Sequence, residues 1–204
     1  PSCHFAMMKE LGVSANVDDL KPSFPNPGNP SEPIYIILDA CHMLKLVRNT
    51  LASCGIIVDG DGNKVEWQYV ESLHKLQQEE GLRLGNKLRA AHLAWKTQKM
   101  KVNLAAQTLS SSVADALHFC RDDLHLPEFS GSDATCRFIE YFDHLFDLLN
   151  SRNPFGKKFK EPLRERNEEI FLPFLEKVEA YIRSLRDPTG RPITSTPRKT
   201  AFIG

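Results

Sequence analysis

The stretch Ser132-Asp133-Ala134-Thr135-Cys136-Arg137-Phe138-Ile139-Glu140-Tyr141-Phe142-Asp143-His144-Leu145-Phe146-Asp147-Leu148-Leu149-Asn150 decides the fold class. Ile139, Phe142, Phe146 and Leu149 recur at three- and four-residue spacing, so they share one helical face. Ser132 stands before the run as an N-cap, and Asp133 puts a carboxylate in the first turn, where the helix dipole favours it. Reading outward, Phe174, Val178, Ile182 and Leu185 give another stripe, with Pro173 near its start. Upstream, Val102, Ala105, Leu109 and Val113 give a third, Leu82–Trp95 a further helical segment, and Val70, Leu73 and Leu76 a fifth. The pattern is helical almost from Gln68 to Leu185, without an internal repeat.

The first third reads differently. Residues 1–12 end a helix, with Phe5, Met8 and Leu11 on one face and Gly12 as the stop. Residues 21–33 (KPSFPNPGNPSEP) are dense in Pro, Gly, Asn and Ser and are expected to be a loop. Ile34-Tyr35-Ile36-Ile37-Leu38 reads as a buried central strand ended by Asp39. His42–Ala52 follows as a helix with Leu44, Val47 and Leu51 on one side. Gly55–Trp67 reads as a hairpin around Asp59-Gly60-Asp61-Gly62-Asn63. The expected fold class is therefore mainly α: an α/β piece over residues 1–67, an all-helical body over 68–186, and an extended or mobile tail over 187–204 that resumes regular structure at Thr200-Ala201-Phe202-Ile203-Gly204.

Composition sets bounds. The 204 residues suffice for one full domain with a real core. The chain opens at Pro1 rather than Met, and is read as a piece of something longer. No apolar run approaches the 18 residues of a membrane span, so no membrane partner is expected. The five cysteines (Cys3, Cys41, Cys54, Cys120, Cys136) are odd in number and form no CxxC pair. That argues against a disulfide framework or structural zinc and for a reducing, intracellular setting. The formal charge is zero, but it is segregated: residues 1–80 carry −5, 81–114 carry +6, 115–147 carry −6 and 148–204 carry +5. A neutral average excludes only a uniformly basic nucleic-acid coat; a local basic block can still meet phosphates.

Several motifs fail on spacing. Asp59-x-Asp61-x-Asn63 imitates an EF-hand opening, but Lys64 stands where Gly is needed and Val70 where Glu is needed. No GxxxxGK[ST] phosphate loop occurs. Asn86-Lys87-Leu88-Arg89 imitates a guanine-reading Asn-Lys-x-Asp with the carboxylate replaced by Arg89. Three candidates remain. Asp39, at a strand end, offers a carboxylate to a hard cation, or serves as the N-cap of the next helix. Arg83, Lys87, Arg89, Lys96, Lys99 and Lys101 form an acid-free basic block, read as a phosphate-facing surface, as a solvated face, or as partners of the acidic block 115–147. Asp147 and Asn150 lie three apart on one helix face beside Phe146. A carboxylate there can accept two hydrogen bonds from a guanine edge while an aromatic ring stacks; Glu140, Asp143, Asp147 and Asn150 equally read as an ordinary polar stripe.

Ile37-Leu38-Asp39-Ala40-Cys41-His42-Met43-Leu44-Lys45-Leu46-Val47-Arg48-Asn49 resembles the second catalytic-aspartate segment of P-element-type transposases, the family that includes the THAP-domain transposases. Lys99–Ser110 with Ser112–Leu117 is similar to that family's helical GTP-binding insertion domain, and Phe146–Ser151 resembles a later motif of the same insertion. The resemblance spans essentially the whole chain. It implies an RNase H-like catalytic domain interrupted by the helical insertion, so that residues 1–67 would be a partial RNase H-like domain, 68–186 the insertion and 187–204 an extended tail returning toward the RNase H-like domain. It implies that Asp39 is one of three metal-binding carboxylates for Mg²⁺-dependent DNA cleavage and strand transfer. It implies that Lys87 and Lys101 lie near GTP phosphates, and that Val102, Phe146, Asp147 and Asn150 contact the nucleotide. GTP in this family is an assembly cofactor that is not hydrolysed; the implied partners are transposon-end DNA and further copies of the parent protein, in the nucleus. Ala40 stands where some members have Pro. The first carboxylate is expected upstream of Pro1 and the last Glu downstream of Gly204, so the chain alone is not expected to catalyse transposition. The alternative is a non-catalytic helical interaction module from a domesticated transposase with a decayed nucleotide site.

Overall fold

The computed structural model describes residues 2–16 and 19–195. The chain divides into two compact units, residues 1–39 and 40–204.

The first unit holds helix α1 (Ser2–Glu10) and two antiparallel hairpins: β1 (Ser14–Asn16) with β2 (Asp19–Lys21), and β3 (Ser23–Asn26) with β4 (Asn29–Tyr35). Two sequence expectations change here. The Pro-rich stretch 21–33 is not a loop but most of the β3–β4 hairpin. Its turn closes where the Gly28 amide donates to Asn26 Oδ1 at 3.0 Å, and proline is tolerated in an exposed two-stranded ribbon because each strand is an edge strand. The buried central strand expected over Ile34–Leu38 is also absent. β4 ends at Tyr35, pairs only with β3 and is exposed throughout, while Ile37 is 86% exposed. A central strand needs neighbours on both edges and layers on both faces; β4 has one neighbour and no covering layer among the described residues of this unit.

The second unit is mainly α. It opens with α2 (Ala40–Cys54), the hairpin β5 (Ile56–Val58) and β6 (Lys64–Glu66), and α3 (Gln68–Glu79). Then come the short α4 (Ala90–Leu93), α5 (Val102–Thr108), α6 (Ser111–His118), α7 (Asp133–Leu149) and α8 (Glu168–Ser184). The hairpin forms where the sequence puts it. Asp59 Oδ1 accepts the amides of Asp61 and Asn63 at 3.0 and 2.8 Å, so the EF-hand look-alike spends its carboxylate on its own turn. By its contacts the hairpin belongs with the helices: Glu66 N–H donates to Thr135 Oγ1 of α7 at 2.9 Å.

Two expected helices are interrupted. Leu82–Trp95 is helical only over α4, because Gly81 and Gly85 adopt φ +66° and +69°, left-handed values that end a helix. The stripe Val102–Val113 is cut into α5 and α6 by Leu109 and an extended Ser110. Ser111 N–H and Oγ then meet the Asp143 carboxylate of α7, a negative group at the positive end of α6. The tail also departs from expectation. Arg186 exchanges backbone hydrogen bonds with Val58 at 2.8 and 2.9 Å, Asp187 Oδ1 accepts the amides of Thr189 and Arg191, and Ile193 is buried. Arg186 thus joins the hairpin, and residues 187–193 form a turn that returns to Leu185 and buries Ile193; the expected return at Thr200–Gly204 lies outside the described residues.

One core joins these elements. Leu44, Val47 and Leu51 of α2, Ile57 and Val65 of the hairpin, Val70 and Leu73 of α3, Leu109, Val113 and Leu117 around α6, and Phe138, Ile139 and Phe142 of α7 are all buried in it. Ile139→Ala, which empties a fully buried site, should cost about 2–5 kcal/mol, read as a lower urea midpoint at unchanged slope. Gly60→Ala should also destabilise, by about 1–3 kcal/mol, because the added carbon would stand 2.8 Å from Ser184 Cβ of α8.

Candidate functional site

The last turn of α7 carries Phe146, Asp147 and Asn150. Asn150 closes the helix, its amide donating to Phe146 O at 2.9 Å. Phe146 is half-buried and lines an apolar slot with Met43, Leu44 and Val47 of α2 and Leu145 and Leu149 of its own helix. Asp147 is 25% exposed, with Lys160 Nζ at 3.7 Å. Burial raises the Asp147 carboxyl above its ordinary range, and the neighbouring Asp143 adds to the rise; Lys160 and His144 oppose it. Lys160 is delivered by a folded-back loop. Ser151 Oγ donates to Lys160 O at 2.6 Å, and Gly156 passes so close that an added Cβ would lie 1.8 Å from that oxygen. Sequence spacing could not find Lys160, because it stands thirteen positions after Asp147, across a loop that leaves the end of α7 and folds back.

Lys101 and Val102 open α5. Lys101 is the exposed N-cap, its amide donating to Gln98 O at 3.1 Å, and Val102 is half-buried. Lys87 lies in the irregular 81–89 segment, exposed between buried Asn86 and buried Leu88. Asn86 Oδ1 accepts the Leu88 amide at 3.0 Å, so the look-alike guanine motif is a turn device. His92 braces the end of this segment. Its Nδ1 accepts the Arg89 amide at 3.0 Å, which leaves Nε2–H to donate to Gln107 Oε1 at 3.0 Å.

The six cations of the basic block are exposed, and none of them forms an ion pair among the described residues; Lys96 and Lys99 lie over the Trp95 ring at 5.8 and 5.6 Å. Five of the eight carboxylates of the acidic block have partners outside the basic block. Arg121 lies 2.7 Å from both Asp122 and Asp133, His118 pairs with Glu140 at 3.5 Å, Ser111 binds Asp143 and Lys160 faces Asp147. The two blocks therefore do not neutralise one another. α2 touches both halves of the candidate site: its first turns border Phe146, and Asn49 reaches Lys99 O.

Asp39 is the last residue of the first unit, exposed and immediately before α2, the position a helix cap occupies. Among the described residues no group of three or more His, Cys, Asp or Glu side chains could hold a metal ion. A hard dication takes about six oxygen ligands, so Asp39 by itself does not make a metal centre. The buried cysteines behave as small apolar groups; burial pushes the Cys136 thiol up to about 12. No helix among the described residues is long and apolar enough to cross a membrane.

Residues 41–162 match the family model of the TNP-like GTP-binding insertion domain. The chain is 32% identical over 198 residues to the DNA transposase THAP9 of Homo sapiens, covering 97% of this chain and 22% of that protein. It is 25% identical over 160 residues to the transposable element P transposase of Drosophila melanogaster, covering 73% and 20%. A solved structure, the Drosophila P element transposase strand transfer complex, superimposes with a TM-score of 0.78 at 22% identity, over 99% of this chain and 43% of that one. The fold and the sequence together define a GTP-binding insertion domain, and the chain belongs to the P-element-type transposase family. It spans about a fifth of the length of the two transposases it matches.

The His92 bridge has a pH signature. Burial, the largest influence, lowers the His92 pKa below its ordinary value of 6.5. The unfolded chain then binds the proton first on acidification, so the stabilisation is fully present above pH 6.5 and is lost as pH falls through the folded value. Urea unfolding between pH 7.5 and 5 should show this loss, and His92→Gln should flatten that part of the profile.

Proposed function

We propose that this chain binds GTP as a non-hydrolysed assembly cofactor for transposon-end DNA, within a transposase whose nuclear, self-associating parent cleaves and joins DNA. Asp147 reads the guanine edge, accepting its two N–H donors; Asn150 bonds the base or sugar one turn on; Val102 and the open face of Phe146 give apolar contact. Lys101, and Lys87 beyond it, meet the phosphates. When bound, the nucleotide supplies negative charge and a base edge, and no bond-breaking chemistry is required of it. The role of Asp39 as one metal ligand for Mg²⁺ belongs to the complete enzyme, where further carboxylates must join it.

The observation that carries this reading is Asp147 itself. It is a partly desolvated carboxylate whose one ion pair is a loose 3.7 Å contact. Such a group gains more from two N–H donors than a fully hydrated one does, because it has already lost part of its water. Six exposed, unpaired cations elsewhere in the same family-matched region supply the phosphate chemistry. Water inside this reading is a competitor, and Phe146 with its apolar neighbours excludes it from one side.

Titration calorimetry tests the assignment. GTP should bind more tightly than ATP, and Asp147→Ala should weaken GTP by about tenfold or more, the cost of a charge-assisted pair of hydrogen bonds. Lys101→Ala should weaken GTP and ATP alike, by less. Equal affinity for the two nucleotides removes the guanine assignment. A melting temperature unmoved by millimolar GTP favours the decayed-site module instead, since a ligand at 100 times its Kd adds about 2.7 kcal/mol.

A further inference from the structure

The largest fully buried side chain of the described residues is not apolar. Arg48 of α2 is 0% exposed, one position after the buried Val47. Its Nε–H donates to Asn49 Oδ1 at 2.8 Å and an Nη2–H donates to Gln98 O at 2.9 Å, while Nη1 has no hydrogen-bond partner. No carboxylate forms an ion pair with it among the described residues, and burial lowers its pKa with no anion to oppose the shift. A buried cation without a counter-ion is costly, whereas an apolar side chain of similar length would fill the place without that cost. What the guanidinium gains is therefore what it holds.

It holds the approach to α5. Gln98 O accepts both from Arg48 Nη2–H and from the Lys101 amide at 3.1 Å, using its two lone pairs. The next residue of α2, Asn49, donates from Nδ2 to Lys99 O at 3.3 Å. Two consecutive residues of α2 thus fix the carbonyls of Gln98 and Lys99. The Lys101 carbonyl then accepts the Ala105 amide at 3.3 Å, the first turn of α5. Lys99 and Lys101 are exposed and form no ion pair among the described residues; the Lys99 ammonium lies over the Trp95 ring.

We propose that Arg48 is a positioning residue for the phosphate-facing segment: with Asn49 it clamps Gln98–Lys101 to α2, so setting where Lys99 and Lys101 stand, and it leaves behind them a buried, uncompensated cation for an anionic ligand to offset. This rests on the phosphate reading of Lys101 given above. It also explains how α2, which carries no residue of the nucleotide set, bears on it. A flexible lysine pair must be ordered at the moment of binding; a clamped backbone has already met that entropic cost in the fold.

The test uses the purified chain with inorganic triphosphate as the probe, in wild type, Arg48→Lys and Asn49→Ala, with amide hydrogen exchange over residues 96–106 of the free protein measured in parallel. Arg48→Lys keeps the charge and loses the fork; Asn49→Ala removes the clamp on Lys99 O together with the acceptor of Arg48 Nε–H, leaves the Arg48–Gln98 bond in place, and carries the test if the first variant does not fold. Both should speed exchange locally, by about tenfold for Arg48→Lys, and weaken triphosphate binding by about fivefold or more. Lys96→Ala serves as the control, changing affinity through charge alone with exchange unmoved. Wild-type exchange and wild-type affinity in both variants would overturn the proposal. Faster exchange with unchanged affinity would overturn its ligand half. A wild-type chain that binds no triphosphate overturns the functional reading beneath it, while the exchange data still decide whether Arg48 orders the segment.

Discussion

The packing of α7 against α6 and α2 is the constraint on which the rest depends. Phe138, Ile139 and Phe142 are buried in the common core, and Asp143, one residue past that stripe, accepts from Ser111 at the start of α6. The same register carries the polar face of α7 forward by one turn to Asp147 and Asn150. The site is therefore not a separate construction on the fold. It is the continuation of a core helix past the point where its neighbours cover it, which is why Asp147 is half-desolvated rather than either buried or free in water. That intermediate state gives a carboxylate both an incentive to find donors and access to them.

Charge follows from the same arrangement. Five of the eight carboxylates of the acidic block find partners close at hand, in Arg121, His118, Ser111 and Lys160. The basic block finds none among the described residues and is left facing outward. Zero net charge is the sum of an acidic region that is largely paired and a basic one that is not, so the average conceals an exposed run of cations. Beneath the basic segment Arg48 adds a further cation, held in place by the Gln98 carbonyl and Asn49 Oδ1 rather than by an anion.

How much could be read from the chain depended on the range of the forces involved. Helices α2, α3, α7 and α8 and the β5–β6 hairpin follow from local periodicity and turn chemistry, and the structure has them. The breaks at Gly85 and at Leu109–Ser110 were harder to see, because an apolar stripe continues across them; only the glycine φ and the extended Ser110 interrupt it. Ile34–Leu38 misled for a different reason. An apolar β-branched run specifies a buried strand only if neighbours exist to bury it, and β4 has a single partner among the described residues. In the candidate region, spacing places Asp147 and Asn150 at the end of one helix, where α7 has them, and counting finds the acid-free block. Lys160 and Arg48 were not legible in this way. The one reaches Asp147 around a loop, and the other looks, in sequence, like one more surface arginine on an amphipathic helix.

The central claim is that the Asp147 carboxylate receives the N–H edge of guanine. The most direct measurement is the titration of that carboxyl by carbon NMR, with and without saturating GTP. In the free chain its pKa should lie above the ordinary aspartate value, and GTP should move it down, because two donors stabilise the charged form. ATP should leave it where it was. A pKa that GTP does not move, or that ATP moves equally, would contradict the account.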